Sequence, residues 1–305
     1  MRPVMLYCFS IVLALLLASA GTADAGQVVT QDIRDQARKL LQDEKTLSAV
    51  TAKNTLAVLY FRNRSGLEEL DPVRKGLALM LITDLSTVKD LQVVERVRLQ
   101  ALAEELGLGS SGIVEPDTGP RVGRLLGARW LVGGDIHGAL QKLNVQSDIL
   151  EVPADHVLGR PVSEGQLEEL FRVEKDLLFE ILKLVKIDVT PDEKARLMKP
   201  CSSSWSALIY LFKGADASDR GEYQAAAELY EKSLGEDPRI CLAGDALAEL
   251  RSLGLASVKT KSGDLLKSLR HGTSLTNELG QKEELRHEIK PDDLQRKDYY
   301  GTTGR

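Results

Sequence analysis

Histidine, cysteine and aromatic side chains are scarce in this chain of 305 residues: four histidines, three cysteines and 5% aromatics. His137, His156, His271 and His287 are scattered, with no HExxH pair and no cysteine at ligand spacing. That argues against a zinc hydrolase and against a structural zinc site. No GxSxG nucleophile elbow occurs either. Gly107–Gly112 (GLGSSG) has the glycines of a phosphate loop. It lacks the following Lys-Ser/Thr and does not follow a strand, so it reads as a helix-ending loop. Excess positive charge is missing too. The formal net charge is -5, and no basic stripe with interleaved aromatics appears, which argues against nucleic acid as a partner. Asp135 with His137, and Glu95 with Arg96, read as buried structural pairs. No catalytic residue, cofactor-binding residue or metal ligand is assigned, no cofactor is expected, and the chain is expected not to be an enzyme. A hydrolase would need an acid–base or nucleophile set that the sequence does not offer. With so few aromatic rings, the core must be built from Leu, Val, Ile and Ala.

Long apolar runs are absent beyond the first residues. Met1–Ala25 has the pattern of a secretory signal peptide. Arg2 supplies the positive region, Met5–Leu17 the apolar run, and Ala23-Asp24-Ala25 a small-x-small cleavage site before Gly26. Ala18-Ser19-Ala20 is an alternative site. The apolar run is shorter than the roughly 20 residues of a spanning helix. Cys8 precedes most of it, so it does not stand where a lipoprotein signal places its cysteine. The expectation is an exported, periplasmic or outer-membrane-associated protein whose membrane contact is peripheral rather than integral.

What is present divides the chain into an N-terminal helix and linker (26–53), an α/β domain (54–187), a small all-α helical module (188–256) and a polar tail (257–305). Gln31–Leu47 forms an amphipathic helix with Ile33, Ala37, Leu40 and Leu41 on one side, suited to packing on the domain that follows. Leu56–Phe61 is almost wholly apolar, as a central strand buried on both faces should be. Arg62–Gly66 reads as a turn. A helix follows from Asp71, with Asp71 as N-cap, Pro72 in the first turn and Val73, Leu77, Leu81 and Leu85 facing inward. Gly76 within it costs roughly 1 kcal/mol relative to Ala, which close packing on the sheet would explain. Leu91–Val94 and Trp130–Val132 are further strands, separated by two helical segments. Leu143, Val145 and Ile149 alternate with polar residues, predicting a further strand or hairpin at the sheet edge. Glu164–Ile187 is the longest helical pattern, with Ser163 and Gln166 read as its capping box. The fold class is α/β, a mixed sheet covered by helices, followed by the helical module.

Several of these segments resemble a known family. Glu95-Arg96, Leu99, Leu102, Glu105, Leu106, the Ser111–Val114 turn with Gly112, Gly123–Ala128 with Gly127, and the apolar strand ending in Gly133-Gly134 are similar to the curli assembly/transport (CsgG-like) family. Leu56–Gly66 and Asp71–Leu85 resemble that family's opening strand and first helix, a pattern shared with the TolB amino-terminal domain. The resemblance covers roughly residues 54 to 160 and implies a fold, and oligomerisation as in those relatives, but no catalysis. Channel-forming members of the family insert long barrel hairpins. The candidate strands here read as short and carry Lys142, Asp148, Glu151, Asp155 and His156, so the pore is not carried over.

Ala207–Pro238 resembles a tetratricopeptide repeat, with Tyr210, Gly214, Gly221, Tyr223, Ala226, Tyr230 and Pro238 at that family's spacing. Gly214 and Ala226 would let two helices approach, Gly221 would break between them, and Pro238 would end the second. Thr190 caps a short helix before the repeat, and Cys241–Leu253 supplies a capping helix after it. One repeat does not make a solenoid, so it must lean on the α/β domain or on another copy of itself. Cys201 and Cys241 flank the repeat. After export they are either joined by a disulfide or remain two buried thiols. The functional expectation is a non-enzymatic cell-envelope factor that binds protein partners, with self-association as one route. The alternative is a subunit of an outer-membrane-associated secretion or transport assembly of the curli type.

Overall fold

Short β-branched runs separated by helices pair into one mixed sheet in the computed structural model, which describes residues 26–45, 53–108 and 118–257. The strands are β1 (Thr55–Val58), β2 (Arg62–Asn63), β3 (Gln92–Val93), β4 (Trp130–Ala139), β5 (Lys142–Glu151), β6 (His156–Gly159) and β7 (Val162–Gly165). Their order is β3-β1-β4-β5-β6, with β2 extending the pairing to β4 and β7 pairing with β5. β1 is buried at all four positions because it runs parallel to both β3 and β4. Parallel neighbours require crossovers. Helix α2 (Asp71–Leu85) makes the first, and α3 (Arg96–Glu105) with α4 (Gly119–Leu125) lies in the second.

Several boundaries move from where the pattern put them. Arg62–Asn63 is not a turn but a short strand on β4, with Arg62 opposite Asp135. Asp71 is the first helical residue rather than the cap; Leu70, at the end of a 3₁₀ turn, precedes it. β4 does not stop at Gly134 but continues to Ala139, forming a long antiparallel hairpin with β5. These strands are not short: each has ten residues. The inward positions of β5, Leu143, Val145, Ser147 and Ile149, are fully buried in the protein's own core. Residues 162–165 pair with β5 instead of starting a helix, and the capping box is Gln166 with Glu169, not Ser163 with Gln166. The helix itself, α5, spans Leu170–Leu184. The first helix, α1, spans Gln31–Gln42, and residues 46–47 lie outside the described residues. It packs on α3 through a small apolar cluster of Val29, Ala37, Val97 and Ala101.

After α5, Thr190 caps α6 (Pro191–Leu197) with Glu193 completing the box. Glu193 also accepts the Lys89 N–H at 2.9 Å, and this bond and those from Thr190 hold its carboxyl down at about 2. Helices α7 (Trp205–Asp219) and α8 (Tyr223–Glu236) form an antiparallel hairpin, and α9 (Ala243–Ser252) packs on α8. Gly214 makes the hairpin close: a β-carbon there would sit 2.6 Å from the Tyr230 ring. Gly76 does the same between layers. It faces the ring of Phe212 on α7, not the sheet, and a β-carbon would collide with that ring. Cys201 and Cys241 stand at disulfide distance at the base of the hairpin, with Cα atoms 5.0 Å apart. The sheet core and the hairpin share one apolar cluster, from Val28 to Ala256. The tail from 258 lies outside the described residues.

Candidate functional site

Where α7 meets the α/β layer, three charged side chains, Asp219, Lys75 and Arg96, are packed almost out of water, with Asp216 half-buried at the rim. Asp219 ends α7, Lys75 projects from α2, and Arg96 opens α3. Arg96 Nη1 donates to both oxygens of Asp219, at 2.8 and 2.9 Å. Lys75 Nζ lies 3.1 Å from Asp219 and 2.8 Å from Asp216. Lys75 and Arg96 therefore meet Asp219 and Asp216, and Asp216 also takes Arg220 at the rim, which Glu222 pairs in turn. Burial works against the Arg96 charge, but Asp219 outweighs it and holds the guanidinium above its ordinary range. Tyr60 closes the network from β1's end. Its hydroxyl donates to Gln100 at 2.9 Å, its ring lies 5.3 Å from Lys75 Nζ, and burial pushes its phenol upward. Gln100 continues to Glu104, and Glu104 to Arg34 of α1 at 2.9 Å. One polar chain thus connects the hairpin, the sheet domain and the N-terminal helix.

An open cleft of about 950 Å³ lies over this network. Its walls come from the start of α2, the exposed side of α3 and the hairpin. At its mouth stand Glu68 and Lys213, both exposed and neither with an ion-pair partner among the described residues. The described lining offers no histidine, cysteine or serine. What it offers is charge of both signs on a fixed frame, which suits an extended polar segment more than an apolar small molecule.

Of the residues singled out by sequence, Tyr230 and Ala226 are buried in the hairpin, Tyr210 and Tyr223 are half-buried, and Gly221 makes the left-handed turn between the helices (φ 76). Pro238 follows α8 by two residues. Leu99 and Ala128 are core, Gly123 packs on Val152, Gly127 follows α4, and Gly134 lies in β4; Gly112 lies outside the described residues. The two expected polar pairs do not form. Glu95 has no ion pair among the described residues, because its neighbour Arg96 turns to Asp219. Asp135 binds Arg62 at 2.6 Å while His137 is exposed. Sequence reading missed Lys75, Asp216 and Asp219; Asp219 lies 123 positions from Arg96, and no local pattern joins them. Among the described residues no group of side chains could hold a metal ion, and no helix is long and apolar enough to cross a membrane.

Residues 36–141 match the family of the curli production assembly/transport component CsgG, so that stretch of the chain is CsgG-like. A protein of Rhizobium meliloti (strain 1021) named as adenylate cyclase 3 is 27% identical over 146 residues, 48% of this chain. The chain spans 23% of that relative's length. Among solved structures, the LpoB C-terminal domain from Salmonella enterica aligns with 47% of this chain and 98% of its own, at 17% identity and a TM-score of 0.31. TolB from Acinetobacter baumannii aligns with 44% of this chain and 28% of its own, at 12% identity and a TM-score of 0.31. The family match, not these likenesses, carries the assignment of the domain.

Proposed function

We propose that this protein is an exported, non-enzymatic factor of the cell envelope that holds a partner protein's segment in the cleft between its CsgG-like domain and its tetratricopeptide-like hairpin. The observation that carries the reading is the ionic junction at Asp219. It fixes the hairpin on the α/β layer, so the two walls of the cleft are held as one surface. The family match supports an assembly role in the envelope. A bond between Cys201 and Cys241 belongs to the same reading, since the export compartment is oxidising.

A photo-crosslinking side chain placed at Lys213, in the cleft, and separately at Glu180, an exposed position of α5, tests the proposal in cells. Adducts to one partner from position 213 and not from 180 are expected. Equal labelling from both positions, or none from 213, overturns it. The family's description as an assembly/transport component favours the second reading, a subunit of a curli-type envelope assembly. Adducts between copies of this chain would support that reading instead.

A further inference from the structure

The segment that follows the expected leader is gripped at both edges of its backbone. Glu249 of α9 accepts the Gln27 N–H at 2.6 Å and the Val28 N–H at 3.4 Å. Arg96 Nη2 donates to the Gln27 carbonyl at 2.5 Å. Val28 and Val29 are buried beyond that point, and Arg34 binds the Val29 carbonyl. Gly26 itself lies against Glu249, so near that a β-carbon would stand 2.9 Å from Oε1.

Gly26 also lines a pocket of about 710 Å³, floored by Leu79 and Ile82. Three carboxylates face this space in the lining: Glu95, Asp245 and Glu249. Glu95 and Asp245 form no ion pair among the described residues. The nearby cation, Arg96, does not answer them, because its charge is matched by Asp219. Its Nε is buried without an acceptor in the same lining. The one cation of this lining, Arg96, is thus committed to Asp219, and the residue at the pocket's edge is the one that leader removal would turn into a second cation.

We propose that cleavage between Ala25 and Gly26 creates a latch: the new α-ammonium of Gly26 pairs with Glu249, in the field of Glu95 and Asp245 on the same pocket wall, and locks the N-terminal segment to α9. Peptide-bond hydrolysis supplies the amine, and the leader departs with the new carboxylate of Ala25. Within an uncleaved chain the same nitrogen is a neutral amide and cannot make these ion pairs. An α-amino group ordinarily titrates near about 7.7–8.0, and three carboxylates raise that value. A group raised on folding contributes its stability below the unfolded value and loses it as pH rises through the folded one.

The proposal rests on the export reading, so processing is checked first by amino-terminal sequencing of the exported protein. A start at Gly21, after the alternative site, overturns the latch whatever the partner. The full mature chain is then compared with the same chain carrying a two-residue Ala-Ser extension before Gly26, by competitive acetylation of the terminal amine. At pH 8 the Gly26 amine should react about fivefold more slowly, the change that one pKa unit makes. Asp245→Asn combined with Glu95→Gln, two changes away from the Glu249 cradle, should bring the rates to within about twofold. The melting-temperature advantage of the Gly26 chain should be present at pH 7 and gone by pH 10. Equal acetylation rates in a chain sequenced as starting at Gly26 overturn the latch while leaving export intact.

Discussion

Two buried ionic clusters sit on the two faces that α2 offers to its neighbours, and they are built to opposite specifications. Toward α7, Lys75 and Arg96 meet Asp216 and Asp219, and the charges balance. Toward α5, one ammonium, Lys175, faces two carboxylates, Asp84 and Glu174. Glu174 is wholly buried, and although Lys175 Nζ lies 3.0 Å away, neither carboxylate oxygen accepts a hydrogen bond of good geometry. Burial, and then the Asp84 charge, push the Glu174 carboxyl up to about 8, and burial raises Asp84 as well. A balanced, hydrogen-bonded set costs its desolvation once and then fixes a geometry. An unbalanced one keeps a proton at neutral pH. The difference teaches that burial of charge alone does not identify a junction; the pairing does.

The comparison breaks most severely at Asp219. Asp219→Ala leaves two buried cations without their shared carboxylate and should cost about 3–5 kcal/mol in urea unfolding. A loss of under about 1 kcal/mol would mean that the junction does not hold the hairpin. Next in size is the other end of the hairpin. Reducing the proposed Cys201–Cys241 bond should open a loop of sequence separation 40, and the chain-entropy model puts the loss at about 3–4 kcal/mol. An unchanged melting temperature with dithiothreitol would show that the two thiols are not bonded. The smallest effect belongs to Glu174. Because its folded value is raised, its protonated form adds stability below about 4.5, and that stability is lost as pH rises to about 8. Glu174→Gln should therefore raise stability at pH 9 and change little at pH 4. A destabilised variant at pH 9 would show that the carboxylate is paired after all.

Much of the fold was legible because it is local. Val73, Leu77, Leu81 and Leu85 recur at helical spacing, and all four are fully buried in α2. The alternation of Leu143, Val145 and Ile149 predicted β5 and its inner face. Thr190, read as an N-cap, marked the start of α6. Boundaries failed where a strand partner decides the matter. Arg62–Asn63 has turn chemistry and becomes a strand because β4 runs past Gly134 to meet it. Residues 162–165 carry a helical start pattern and become β7 because β5 presents a free edge. Gly76 was noticed, but its neighbour was misjudged, since nothing near it in the chain announces Phe212.

By itself the sequence determined the aliphatic core, the alternation of strands and helices in the α/β domain, and the hairpin of α7 and α8, all of which follow from side-chain period and from glycine and proline placement. Only the tertiary structure decided where the charges go. Arg96 sits beside Glu95 in the chain yet spends its charge on Asp219, and Gln27 donates to Glu249 from 222 positions away. Periodicity reports which face a residue takes on its own element. The choice of partner for a buried ion depends on which elements pack together, and that is a property of the whole chain.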